Sequence, residues 1–255
     1  YIGIPFCPTR CLYCSFTSYP ISVYKDKVDA YLDTMEKEME YIAESYTEKK
    51  LASIYIGGGT PSSISAEQMD RLCSMIEKHF DLSQVREYTI EAGRPDSTTA
   101  DKLQVMKAHG VDRISINPQT MNGETLKLIG RAHTPEQAEE AFMRAREAGF
   151  DNINMDLIVG LPGEDAEMVK RTLEKVKKLA PESLTVHTLA IKRAAHLKQE
   201  MDKYSFAGDV DEQLSLVGQA AEELHHIICT DRRIWRGIWK MSDMQDMDWN
   251  VSIIF

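Results

Sequence analysis

The sequence predicts an α/β protein built as an open, six-unit parallel barrel. Three observations carry that reading: short β-branched runs recur along the chain, amphipathic helical patterns fill the intervals, and the chemically unusual residues fall where the runs end. Alternation of this regularity calls for a parallel sheet with right-handed crossovers. Six runs are too few for a closed eight-stranded barrel, so an open one is expected. A chain of 255 residues, 43% hydrophobic, suits one large α/β domain with an appendage.

The elements follow in order. Residues 1–5 read as the first strand, and Val28, Leu32, Met35, Met39 and Ile42 repeat as one helix face. Strands are expected at 52–56, 88–91 and 113–116. Thr134-Pro135-Glu136-Gln137 reads as a capping box with proline at the first helical position, and Gly149 as the end of that helix. Residues 153–159 form the fifth strand; Met168, Thr172, Leu173, Val176 and Leu179 form a helix face; 184–189 form the sixth strand. The barrel is assigned to 1–204 and the start of a C-terminal helical region to 205–226.

Cys7 follows the first strand, and Gly57-Gly58-Gly59-Thr60-Pro61 follows the second. Glu91 closes the third strand, and Asn117-Pro118-Gln119 the fourth. Asp156 lies on the fifth, before Gly160-Leu161-Pro162. In parallel barrels the strand C-termini share one rim, and that rim carries the chemistry.

A net charge of −10, with no long basic run, argues against a nucleic-acid partner. No run of 18 apolar residues suggests a membrane span, and no signal peptide is visible. The first residue is Tyr1 and opens a core strand, so the chain is expected to lack an N-terminal portion. Five cysteines, three within eight residues, argue for metal thiolates in a reducing cytoplasm rather than a disulfide framework.

Cys7-x-x-x-Cys11-x-x-Cys14 fits a cubane cluster held by three thiolates. Iron–sulfur sites usually take four cysteines, so a missing fourth leaves one iron open to a small molecule. A zinc site or ordinary buried cysteines are the alternatives. Structural zinc wants four Cys or His ligands, and the first histidine is His79. Cys73, in a helical pattern beside Leu72, reads as core.

The opening string YIGIPFCPTRCLYCSF resembles radical S-adenosylmethionine (SAM) enzymes of the oxygen-independent coproporphyrinogen III oxidase branch. The GGGTP loop, the Glu and Gln strands and the Asp156-Leu157-Ile158 to Pro162 segment follow in the same order. The segments CLYCSFTSYP and VHTLAIKRAA resemble the HemZ-like subgroup, and the resemblance reaches about residue 226. The classical oxidase of the branch carries a further cysteine two places beyond the third ligand, where this chain has Phe16.

The resemblance implies a [4Fe–4S] cluster on Cys7, Cys11 and Cys14, with SAM on the open iron and cleaved to a 5′-deoxyadenosyl radical. It implies SAM contacts from Gly58, Gly59, Thr60, Glu91, Gln119 and Asp156, with Arg146 on the SAM carboxylate. Tyr1 matches a tyrosine packed near the cluster, Ala190 a main-chain contact to adenine, and Tyr13 a position lining a second SAM site. The implied reaction turns two propionates of coproporphyrinogen III into vinyl groups. It proceeds by hydrogen abstraction, then loss of CO₂ and one electron, with an electron donor of flavodoxin or ferredoxin type. Lys192, Arg193 and Lys198 are candidate partners for the tetrapyrrole's carboxylates. Three other readings stand beside it: a haem-binding chaperone on the same barrel, a radical SAM methyltransferase or haem-degrading enzyme of the same branch, and an inactive truncated product.

Residues 227–255 hold all three tryptophans and show neither helical nor strand period. Suitable synonymous codons, read from the last base of the His226 codon, turn this segment into YYLYRQKNMAGNMENVGYA, which resembles a signature of the HemZ-like subgroup. A one-base deletion near His226 is therefore expected, followed by a segment with no evolved fold of its own.

Overall fold

The computed structural model describes residues 1–46, 50–206, 208–223 and 227–229. Seven strands form one parallel sheet in chain order: β1 (Ile2–Ile4), β2 (Ser53–Gly58), β3 (Glu87–Gly93), β4 (Arg113–Gln119), β5 (Ile153–Val159), β6 (Ser183–Thr188) and β7 (Ile227–Cys229). The principal helices are α1 (Val28–Ser45), α2 (Ala66–His79), α3 (Ala100–Ala108), α4 (Gly123–Leu128), α5 (Pro135–Glu147), α6 (Ala166–Leu179) and α7 (Val210–Glu223). Each crossover returns the chain to the same end of the sheet, as a parallel sheet requires. Among the described residues no pairing joins β1 to β7, so both are edges.

The six expected strands are present, with ends shifted by a few residues. β4 runs on through Pro118, which a ladder tolerates only at an irregularity. The register does shift there, between Ile116 and Gln119. The seventh strand falls in the stretch that showed no period, and three residues are too short to display one. Residues 230–255, where the rest of the expected out-of-frame segment lies, are outside the described residues.

Alternation along the strands separates two faces. Ile54, Ile56, Tyr88, Ile90, Ile114, Ile116, Met155, Leu157, Leu184 and Val186 are buried in one hydrophobic cluster with the helices. Val28, Leu32, Met35 and Met39 of α1 join it, as do Val169, Leu173 and Val176 of α6. Burying such side chains is worth roughly 1.5–3 kcal/mol each, which is what holds the helices on the sheet. The expected α1 face stops one turn early, since Ile42 is exposed. The α6 face centres on Val169 in place of Met168, which is half-buried. Helix α5 begins with the complete capping box, Thr134 Oγ1 accepting from Gln137 N and Gln137 Oε1 from Thr134 N. It ends at Gly149 in the left-handed region, φ 88°.

The other face of the sheet is polar. Tyr55, Glu91, Ser115, Asn117, Asn154, Asp156, Thr185 and His187 occupy the alternate positions. Hydrogen bonds join several: Tyr55 to Glu91, Asn154 to Asp156 and Ser115, and Thr185 to Asn154. Closed eight-stranded barrels fill this space with branched apolar side chains. Here the same face carries a hydrogen-bonded polar network that runs toward the strand C-termini.

Candidate active site at the strand C-termini

The cysteine loop starts from a short ladder. Phe6–Cys7 pairs in parallel with Tyr19–Pro20, closing residues 8–18 into a loop with fixed ends. Cys14 N donates to Cys11 O at 3.1 Å, which makes a tight turn between the second and third cysteines. Neighbouring loops clamp the rest. Leu12 N donates to Ile129 O at 2.9 Å, and Leu197 N to Leu12 O at 2.9 Å. Thr9 Oγ1 donates to Gly130 O at 3.0 Å, and Arg10 Nη2 to Ala194 O at 3.2 Å. Buried Arg94 forks onto Asp96 at 3.0 and 3.1 Å and donates to Thr9 Oγ1 at 2.6 Å.

Cys7 is buried, Cys11 and Cys14 are half-buried, and all three are free thiols. Burial pushes the Cys7 and Cys14 thiols up, and the neighbouring sulfurs add to it. Three such sulfurs become thiolates together only when a cation compensates them. Among the described residues no three Cys, His, Asp or Glu side chains converge on a single ion position. A cubane does not need convergence, because each sulfur takes a different iron. Cys73, on α2, is fully buried in the hydrophobic cluster with Tyr88 Oη donating to it, so it is core.

The GGGTP loop packs directly against this one. Gly59 N donates to Ile4 O and Thr60 N to Phe6 O, both at 2.8 Å, and Thr60 Oγ1 lies 3.4 Å from Cys7 Sγ. A Cβ on Gly59 would sit 2.8 Å from Phe6 O and 3.0 Å from Cys7 Sγ, and Gly58 has φ 112°. Gly59 is therefore required by the close approach of the cysteine loop and Gly58 by its positive φ beside β1, whatever else they touch.

Glu91 accepts from Tyr55 Oη at 2.6 Å. Burial pushes its carboxyl up to about 7, against the Tyr55 hydrogen bond, and the Asp156 charge adds to the rise. Tyr1, 82% exposed, stacks on Tyr55 at 6.0 Å between ring centroids. Asp156 accepts from Asn154 Nδ2 at 2.6 Å, and burial raises it while His187 opposes the rise. Gln119 is buried with φ 70°, a conformation costing a side-chain-bearing residue roughly 1–2 kcal/mol. Its Oε1 has no hydrogen-bond partner among the described residues. A buried polar atom left bare at a rim is what a ligand subsite looks like before the ligand arrives.

The comparisons with known proteins fit this geometry. The Radical SAM superfamily model matches residues 1–176. The chain belongs to the radical SAM superfamily. It is 49% identical over 211 residues to the oxygen-independent coproporphyrinogen-III oxidase-like protein HemZ of Bacillus subtilis, covering 82% of this chain and 42% of that protein. It is 39% identical to the haem chaperone HemW of Lactococcus lactis, covering 75% of this chain and 48% of that protein. Among solved structures it superposes on the Escherichia coli coproporphyrinogen III oxidase HemN, a radical SAM enzyme, with a TM-score of 0.77 and 28% identity, covering 88% of this chain and 51% of that one. The chain thus spans about half or less of the length of these relatives.

Radical SAM proteins use a [4Fe–4S] cluster and SAM. The donor set here fits both: three thiols on one clamped loop, and bare polar atoms facing the rim beside them. One expected contact does not fit. Arg146, near the end of α5, lies at the opposite end of the barrel. Its Nη2 donates to Glu182 Oε1 at 2.6 Å and to Ala180 O, its Nη1 donates to Phe150 O, and Glu182 Oε2 accepts from Ile153 N, where β5 begins. That guanidinium ties α5 to the N-terminal ends of β5 and β6, a barrel length from the cysteines.

The arginine at the rim is Arg131, which the sequence reading missed. It is 7% exposed, donates from Nη1 to Asn117 O at 2.6 Å, and has no partner at Nε. Tyr13 and Cys11 face it; burial works against its charge and these two neighbours favour it, for a net rise. Beside it, burial and the Arg131 charge push buried His133 down to about 4. The available signal was position: Arg131 follows the Gln119 strand and α4 on the rim side, whereas Arg146 precedes the next strand. Ala190 is exposed in the loop after β6, which Leu189 N anchors to Val159 O at 2.9 Å. Lys192, Arg193 and Lys198 are exposed on that same segment.

Proposed function

We propose that this chain is the SAM-cleaving barrel of an enzyme that oxidises a tetrapyrrole of the coproporphyrinogen type, decarboxylating propionate side chains to vinyl groups. The observation that carries the proposal is a loop of three free cysteines, clamped by its neighbours, opening onto a rim with unpartnered buried groups from Gln119 and Arg131. The 49% identity to HemZ supports the choice of substrate class.

The cluster with SAM supplies a carbon-centred radical that abstracts hydrogen. The chain's own residues bind and orient. Cys7, Cys11 and Cys14 hold the cluster. Gly58, Gly59 and Thr60 let the backbone approach SAM, and Arg131 takes its carboxylate through a fixed fork. Glu91, Gln119 and Asp156 meet its polar groups, with Ala190 at the adenine and Tyr1 over the concavity. Tyr13 belongs to the Arg131 side of the site. Lys192 and Arg193, on a loop that Arg10 ties to the cysteine loop through the Ala194 carbonyl, receive substrate carboxylates. The external partner is a one-electron donor of flavodoxin or ferredoxin type.

A second reading, haem transfer, is favoured by the 39% identity to HemW. One experiment separates the two. Protein reconstituted anaerobically with iron and sulfide is given SAM and reductant, with coproporphyrinogen III or with haem. Porphyrinogen-dependent release of 5′-deoxyadenosine and CO₂ supports the oxidase; stoichiometric haem transfer without turnover supports the chaperone. Protein that takes up no iron refutes both.

A further inference from the structure

We propose that Glu164 is a positioning residue of the SAM site: through Thr120 and Asn122 it holds Gln119 in its left-handed backbone conformation and so aims the Gln119 carboxamide into the rim. The inference rests on the reading of Gln119 as a SAM contact.

The unusual feature is local. Gln119 is one of two residues other than glycine with positive φ among the described residues, and the other, Ala180, merely ends a helix. Gln119 lies at the shift in register between β4 and β5, so the ladder alone does not fix its backbone. Its Oε1 makes no hydrogen bond that could offset the strain. Strain of this kind persists only where the surroundings over-determine it.

The surroundings are three consecutive residues pinned to one crossover. Thr120 Oγ1 donates to Glu164 Oε1, and Asn122 Nδ2 donates to the same oxygen at 2.8 Å. Met121 N donates to Thr172 Oγ1 at 3.1 Å, and Asn122 Nδ2 reaches Met168 O at 3.2 Å. Glu164 is the hub. It is 2% exposed, and burial raises its carboxyl against the hydrogen bonds it receives. Its own backbone is held from the other side: Gln213 Nε2 of α7 donates to Glu164 O at 3.1 Å, while Gln213 Oε1 accepts from Gly160 N at 2.7 Å. Burying a carboxyl group is costly, and a loop that only had to turn would not need one. A loop that must present one carboxamide in a strained setting does.

The test is a double-mutant cycle read by SAM affinity, measured by equilibrium dialysis on anaerobically reconstituted protein whose iron content is checked. Glu164→Ala should weaken SAM binding about tenfold. Thr120→Val, which removes one hydroxyl and keeps the shape, should act in the same direction and guards against an E164A protein that fails to fold. Glu164→Gln keeps an oxygen acceptor and should stay within about twofold of the parent. In a Gln119→Ala background the E164A and T120V losses should shrink below about twofold, because the residue they act through is gone. Equal losses with and without Gln119, or no loss in T120V, overturn the proposal. If Q119A alone binds SAM as the parent does, the assignment of Gln119 as a SAM contact fails, and the positioning role falls with it.

Discussion

Replacing Glu91 with glutamine should stabilise the cluster-free protein above neutral pH while weakening its hold on SAM. An open-chain glutamate titrates near 4.5, whereas burial raises Glu91 to about 7. The gap corresponds to about 3 kcal/mol of linkage between ionisation and folding. The sign follows from which state holds the proton. Below pH 4.5 both folded and unfolded chains are protonated at this site, and Glu91 costs nothing. Between 4.5 and 7 the unfolded chain ionises first, so stability falls as pH rises; above 7 the full cost is present. Glutamine removes the ionisation and still offers an oxygen to Tyr55. For a chain of this size about 3 kcal/mol is roughly 6–12 °C in Tm. Thermal unfolding by circular dichroism at pH 5 and pH 8 measures it on parent and E91Q. His133, held neutral and pushed down to about 4, acts in the opposite sense over the same window and masks part of the Glu91 slope in the parent alone. The difference between the two proteins isolates Glu91. The same E91Q advantage at both pH values would refute the reasoning.

Arg146→Ala should lower stability by about 1–2 kcal/mol, through loss of the Glu182 pair, and leave SAM affinity unchanged. Arg131→Lys, which keeps the charge and loses the fork, should raise the SAM Kd about tenfold; equilibrium dialysis on the two variants decides between these arginines. Ala180→Gly should raise Tm by about 1–4 °C, because Ala180 ends α6 at φ 51° with its side chain exposed, and glycine adopts that conformation freely. Changing Lys192 and Arg193 together to alanine should raise the KM for coproporphyrinogen III while SAM cleavage persists, and an unchanged KM would remove them from the substrate site.

The strands and their chemistry were legible because period-2 and period-3.6 patterns survive in single sequences. The cysteine spacing, the glycine loop and Glu91 sit at strand ends, where order along the chain translates directly into place on the rim. Arg146 shows the limit. A guanidinium near the end of a helix reads the same from either end of a barrel, and only the packing puts it beside Glu182 and away from Cys11. Arg131 escaped notice because its value lies in burial and in a bare Nε, neither of which has a sequence signature. Tyr55 was hidden for a similar reason: within a strand it passes for a core aromatic, yet its hydroxyl is given to Glu91. Glu164 sits in a loop that reads as an ordinary turn, and its partners come from two other elements.

The division of labour between the two faces of the sheet has a consequence for how such a protein changes over generations. Folding draws on the greasy flank between strands and helices, where nearly every exchange leaves a void. The hollow flank, set with hydroxyls, amides and carboxyls, contributes little to that cohesion. Its side chains can be traded where their hydrogen-bond partners change with them, and one frame can then be refitted for new reactants by altering what points into the bowl.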